Sequence, residues 1–171
     1  MEFNNETIRI AVQLYVKNET EGEEKYGHIN TWNVSGVTDI HALFYRATEF
    51  NQPLNNWNVS NVTDMHGLFY RATEFNQPLN NWDVSNVTKM YRMFDCALSF
   101  NQPLNKWDVG NVKNMNWMFI DTISFNQPLN NWNVSNVTHI LSMFNSTTIG
   151  EMLKKHNLTT KNYFDKNVYH E

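Results

Sequence analysis

His41 and His66, the thiol of Cys96, files of Thr and Asn, and a scatter of Tyr, Trp and Arg are the side chains here that could do chemistry. His41 and His66 hold equivalent places in consecutive copies of a repeat, so stacking of the copies would bring them together. Two imidazoles without a third ligand make a poor metal site. Hydrogen-bonded surface residues are the expected role for both. Cys96 follows Asp95, with no histidine near it in sequence to take its proton, so a catalytic thiolate is not expected. As the sole cysteine it excludes an internal disulfide framework and a thiolate metal site. Thr38, Thr63, Thr88 and Thr138 form a file of hydroxyls such as an ice-binding face would use, but Lys113 interrupts it, and a turn or cap role explains it better. Six glycines include no phosphate-binding loop. No catalytic, cofactor-binding or metal-ligating set is expected, and the chain reads as a non-enzyme.

What positions these residues is a strict repeat. Trp32, Trp57, Trp82, Trp107 and Trp132 are evenly spaced along the chain and set its period. The string FNQPLN opens at Phe50, Phe75, Phe100 and Phe125, on the same beat, and the whole segment from Phe44 to Trp57 recurs unchanged from Phe69 to Trp82. Such a period implies one structural unit per repeat, stacked because none can bury its apolar face alone. With each Trp as position zero, Val falls at two and five, Ile or Met at eight, Leu or Met at eleven, Phe at twelve, a small residue at fifteen, Phe at eighteen and Leu at twenty-two. Trp and the first Val alternate with polar residues, as in an extended segment. The later steps of three and four have the spacing of a helix, and Ser60-Asn61 or Ser85-Asn86 could cap it.

The expected fold is therefore α/β, a leucine-rich-repeat-like solenoid of 25-residue repeats, each a short extended segment plus a short helix, with helical caps at both ends. The layout is a single domain over 1–171: an N-terminal helical cap over 1–28, about five stacked repeats over 29–148, and a C-terminal cap over 149–171. Ile8, Ala11, Val12 and Tyr15 place an amphipathic helix over 6–17. The acidic stretch from Glu19 to Glu24 reads as a solvated loop, residues 148–156 as helical, and LTTKNYFDKNVYHE as a capping tail.

The pattern FNQPLNNWDVSNVTKMYRMF, at Phe75–Phe94, resembles the BspA-like leucine-rich-repeat surface proteins, with the repeat of mycoplasma surface lipoproteins. Close versions are abundant in giant DNA viruses and amoebae. The resemblance covers about residues 26–145. It implies a leucine-rich-repeat-like solenoid and non-catalytic interaction roles, and supplies no functional residues.

Comparing the copies separates packing from surface. Asn51, Gln52 and Asn55 and their equivalents are constant, as coil-to-coil amide ladders would require; an amide surface for sugars is the competing reading. Variation gathers at positions seven, nine, ten, thirteen, fourteen and seventeen. There Tyr91, Arg92, Trp117, His41, His66, Tyr45, Tyr70, Arg46 and Arg71 are the candidate partner-binding residues. Surface drift is the competing explanation.

Net charge is −4, which disfavours a nucleic-acid partner. The leader MEFNNETIRI lacks the regions of a signal peptide, and no apolar run could span a bilayer. The Asn-x-Ser/Thr sequons that follow from the repeat are then not expected to carry glycan. The chain is expected to be soluble, cytoplasmic or virion-associated, without membrane insertion. Its richness in Asn, Lys, Tyr, Phe and Ile fits an AT-rich source such as a giant virus. The expected function is a non-catalytic repeat module that binds a protein partner through the variable strip. The alternative is a structural component of a virion or surface layer that self-assembles through its ends or edges.

Overall fold

In the computed structural model, which describes residues 2–165, the repeats form a stack of coils made almost wholly of tight turns. The order of elements is α1 (Thr7–Lys17), α2 (Glu19–Tyr26), a 3-10 turn (Ile29–Thr31), the coils, α3 (Thr148–Lys155) and α4 (Thr160–Phe164).

The expected α/β leucine-rich-repeat solenoid is not what forms. No described helix lies within the coils between Trp32 and Ser146, and there is no sheet among the described residues; parallel pairing is reduced to isolated bridges such as Asp39–Asp64 and Asp64–Lys89. The physical reason lies in the spacing. A β-turn also closes on i and i+3, so apolar residues three apart suit turns as well as helix. In the second coil Val62 N–H donates to Val59 C=O, Leu68 to Met65, Ala72 to Phe69, Phe75 to Ala72, and Trp82 to Leu79. The apolar pairs that looked helical are the two ends of successive turns. They point inward, and the residues between them point out.

The remaining backbone groups bond to neighbouring coils. N–H groups at positions eight, ten, twelve and fourteen donate to carbonyls of the following coil: Met65 to Lys89, Gly67 to Tyr91, Phe69 to Met93 and Arg71 to Asp95. At positions ten and fourteen the backbone has positive φ, which breaks helix and strand alike: Ala42, Gly67, Arg92, Trp117 and Ser142 at ten, and Arg46, Arg71, Cys96, Asp121 and Ser146 at fourteen.

The core is a set of side-chain columns. Each Trp at position zero is at most 4 % exposed. From Trp57 onward its indole N–H donates to a carbonyl of the preceding coil: Trp82 to Leu54 at 2.9 Å and Trp107 to Leu79 at 2.9 Å. Phe44, Phe69, Phe94, Phe119 and Phe144 stack in one column, with centroids 5.4–6.0 Å apart. Thr122, standing where the first three coils have Ala, is buried, and its hydroxyl donates to Phe94 C=O at 2.6 Å. The constant amides serve the stack. Asn76 N–H donates to Asn51 Oδ1 and Gln77 Nε2 to Asn51 C=O, both at 2.9 Å, and Asn86 Nδ2 donates to Ser60 C=O at 2.8 Å.

Helices close both ends. α1 buries Ile8, Ala11, Val12 and Tyr15. Residues expected as a solvated loop form α2 instead, capped by the Asn18 side chain; its one buried residue, Gly22, sits so close to Tyr15 that a Cβ would lie 2.7 Å from Tyr15 Cα. At the far end Phe164 stacks on Trp132 at 6.5 Å, and the Tyr163 hydroxyl accepts from Leu129 N–H at 3.1 Å. The expected capping tail runs on into 166–171, which lie outside the described residues.

Trp82→Ala removes a buried ring and leaves one Leu54 carbonyl bond unmade. It should cost about 3–5 kcal/mol, the usual loss for a large core aromatic. Thermal melting measures this, and an unchanged melting temperature would mean the Trp column is not the core.

Candidate functional site

All nine candidate residues lie on one strip of the stack, because equivalent positions in successive coils fall in register. At position nine, His41 and His66 stack with ring centroids 4.7 Å apart, and Tyr91 continues the column at 4.4 Å from His66. At position thirteen, Tyr45 and Tyr70 stack at 4.8 Å and 7°. The guanidiniums of Arg46 and Arg71 lie over these Tyr rings at 5.3 and 5.4 Å. Arg92 reaches from position ten to the ring of Trp117, at 5.0 Å, and that of Tyr70, at 5.8 Å. Trp117 is half-buried.

A slot of about 190 Å³ opens between the two columns. Its walls are Tyr45 and Tyr70 on one side and His66 and Tyr91 on the other, Ala42 and Gly67 leave its floor open, and Arg92 closes one end. His41, Arg46, Arg71 and Trp117 do not line it; they back or flank the residues that do. Larger cavities exist at the ends of the stack, about 580 Å³ beside α3 and about 470 Å³ between α1, α2 and the first coil. Both lie where capping segments meet a terminal coil and lack the ring columns of the smaller slot.

Comparison between copies marked position seven as variable but did not name its carboxylates, Asp39 and Asp64, as candidates. Asp39 and Asp64 each bind the histidine two residues on, Oδ1 to Nδ1 at 2.7 Å, and each accepts that residue's backbone N–H. The signal was present as Asp-x-His in two adjacent coils. This pairing leaves the outer nitrogen, Nε2, for a partner. Arg9 of α1 also reaches Asp39, at 3.3 Å, and donates to His41 C=O at 2.8 Å. Lys89 Nζ holds Asp64 Oδ2 at 2.8 Å. Burial pushes the Asp64 carboxyl upward, but the bonds from Lys89 and His66 outweigh it and hold the group below the ordinary carboxylate value.

Asp95 is 8 % exposed, carries Arg92 at 3.7 Å, and is shifted upward by burial. Burial, then the hydrogen bond to Asp95, pushes the Cys96 thiol up to about 11, which keeps it protonated and a weak nucleophile near neutral pH. Among the described residues no group of three or more His, Cys, Asp or Glu is placed to hold a metal ion, and no helix is long and apolar enough to cross a membrane.

Backbone strain underlies the strip. Arg46, Arg71, Arg92 and Trp117 all sit at φ between +55° and +58°, where a residue other than Gly costs on the order of 1 kcal/mol. Only Gly67 has the residue that this backbone favours.

A family described as "Mycoplasma protein of unknown function, DUF285" matches residues 13–116 and 97–169. No curated protein and no solved structure matches the chain.

Arg71→Gly relaxes φ while removing one exposed cation–ring contact, so the melting temperature should hold or rise. Arg71→Val puts a branched Cβ at positive φ and should lower it by at least ~1 kcal/mol equivalent. The reverse order would mean that the turn at Arg71 is not strained. The Asp64 bonds give a second expectation. A carboxyl held below its ordinary value of 3.8 stabilises the fold above that value and loses the contribution as pH falls through its folded value. The melting-temperature gap between wild type and Asp64→Asn should therefore be present at neutral pH and close in acid; a gap independent of pH would contradict it.

Proposed function

The chain belongs to the DUF285 family, a mycoplasma-type repeat family of unknown function, and from that premise we propose that it is a non-catalytic module binding a protein partner through the variable strip. One observation carries this reading. The side chains that differ between copies, and that the coil-to-coil bonding does not require, gather into contiguous columns of Tyr, His, Trp and Arg. Tyr, Trp and Arg are the residue types enriched where binding energy concentrates. Kinship with the BspA-like surface proteins is part of the proposal. Its support is the sequence pattern around FNQPLN, and it carries no claim about the backbone fold.

Assembly through the ends is the weaker alternative. At the first coil α1 covers the carbonyl edge, with Arg9 on His41 C=O. At the last coil the N–H groups of Ile140, Ser142 and Phe144 have no protein acceptor among the described residues. Two such edges face to face would set donor against donor, and one facing the capped end meets a helix.

Affinity capture from the native source, with mass spectrometry, tests the reading. Wild-type protein should retain a discrete partner. Trp117→Ala and Arg92→Ala should weaken capture while each leaves stability within about 1 kcal/mol, as for ordinary surface changes. Undiminished capture by both folded variants would exclude the strip.

A further inference from the structure

We infer that the strip recognises a short, extended acidic segment of its partner, with carboxylates on the row of guanidiniums and one apolar side chain in the slot over Gly67. This rests on the interaction reading above and adds the chemistry of the partner.

Charge is the first argument. The protein is acidic overall, at −4, yet on this face Asp64 and Asp95 lie beneath cations that reach further out. The Lys89 side chain is 55 % exposed over Asp64 at 13 %, and Arg92 is 45 % exposed over Asp95 at 8 %. Arg46 and Arg71 are exposed, occupy equivalent places in adjacent coils, and make no ion pair or side-chain hydrogen bond among the described residues. Like charges one coil apart repel, and an anion between them would relieve it. Each also keeps a strained backbone that glycine would relax.

Ring orientation is the second argument. Because the rings stack along the coil axis, the faces of His66 and Tyr70 are turned to neighbouring rings or guanidiniums, and the ring edges line the slot. Ring edges carry the positive end of the aromatic quadrupole. The phenol groups of Tyr45, Tyr70 and Tyr91 make no hydrogen bond among the described residues, so they can donate. The slot is lined mostly by apolar surface and takes an apolar side chain, while the ring edges, phenol donors and Arg92 around it attract anions. Its His66 and Tyr70 walls offer no open face for stacking nucleobases, the mode by which single strands are usually held.

Size is the third. Arg46, Arg71 and Arg92 span two coil steps, roughly 10 Å at about 4.8 Å per step. That is the reach of about three extended residues. A polyanion would need a longer cationic track. The slot, at about 190 Å³, has room for one side chain.

The test uses the full chain and fluorescence anisotropy with a fluorescein-labelled peptide, Glu-Asp-Glu-Leu-Glu-Asp-Glu. Its Gln/Asn counterpart, oligothymidylate and a heparin fragment serve as competitors. The acidic peptide should bind saturably, weaken with added salt, and resist displacement by the amide counterpart. Arg71→Glu and Arg92→Glu should each cost about tenfold in affinity, Arg71→Glu with the melting curve retained and Arg92→Glu with some loss of stability, because it sets a second carboxylate beside Asp95. Gly67→Asn fills the slot floor with a residue that tolerates positive φ, and should also weaken binding. Equal binding of the amide peptide, tighter binding of oligothymidylate or heparin, or indifference to Arg71→Glu and Arg92→Glu would overturn the inference; indifference to Gly67→Asn would overturn the slot's part in it. If the Arg→Glu variants lose the native partner while the acidic peptide fails to bind, the interaction reading stands and this chemistry falls. If they keep the native partner, both fall.

Discussion

The hydrogen bonds that run from each coil to the next are what the rest of the molecule depends on. A single coil of β-turns has no helix or sheet of its own to hold it. Half of the N–H groups along positions eight to fifteen point out of the coil's plane and need an acceptor, and a carbonyl of the following coil supplies it. The indole bonds extend the same logic to side chains. Leu54 C=O accepts from Trp57 N–H within its own turn and from Trp82 Nε1 of the following coil, so one carbonyl ties a turn to its neighbour. Register follows from this, and with register come the columns of Trp and Phe that exclude water.

The same register makes the candidate site. A side chain on a coil's outer turn meets its equivalent one step away, so two similar residues in adjacent coils become a stack. His41 and His66, or Tyr45 and Tyr70, are ordinary surface residues taken singly and a continuous ribbed surface taken together. The positive-φ positions sharpen this. They sit in tight turns that throw the side chain outward, and the coil-to-coil bonds on either side keep the backbone in a conformation that Arg or Trp would not choose. The stack therefore holds bulky residues at places that favour glycine.

Charge is arranged by depth as well as by position. Asp64 and Asp95 lie under the strip, engaged by Lys89, His66 and Arg92, and the Lys89 and Arg92 cations face outward. In this way exposed cations cover more deeply buried carboxylates along a few coils of a protein that is acidic overall. So short a run suits a short partner segment better than a long polyanion.

Much of this was legible in the sequence. The period, the inward residues and the place of all nine strip residues at outward, variable positions followed from comparing the copies with one another, and the spacing of Ile8, Ala11, Val12 and Tyr15 placed a helix over 6–17, where α1 forms. That comparison works because every copy faces the same packing problem. The conformation of the coil was not legible. An apolar step of three satisfies a helix and a chain of β-turns equally, and Met65, Leu68 and Ala72 could not reveal whether their N–H groups bond within the segment or across to another coil. Nor could the sequence show that His66, Tyr91, Tyr70 and Arg92 enclose one slot, that Asp64 and Asp95 sit beneath their cations, or that Arg71 and Trp117 occupy positive φ. Local spacing states which side chains need burying; only stacking decides which backbone groups pair and which surface residues become neighbours.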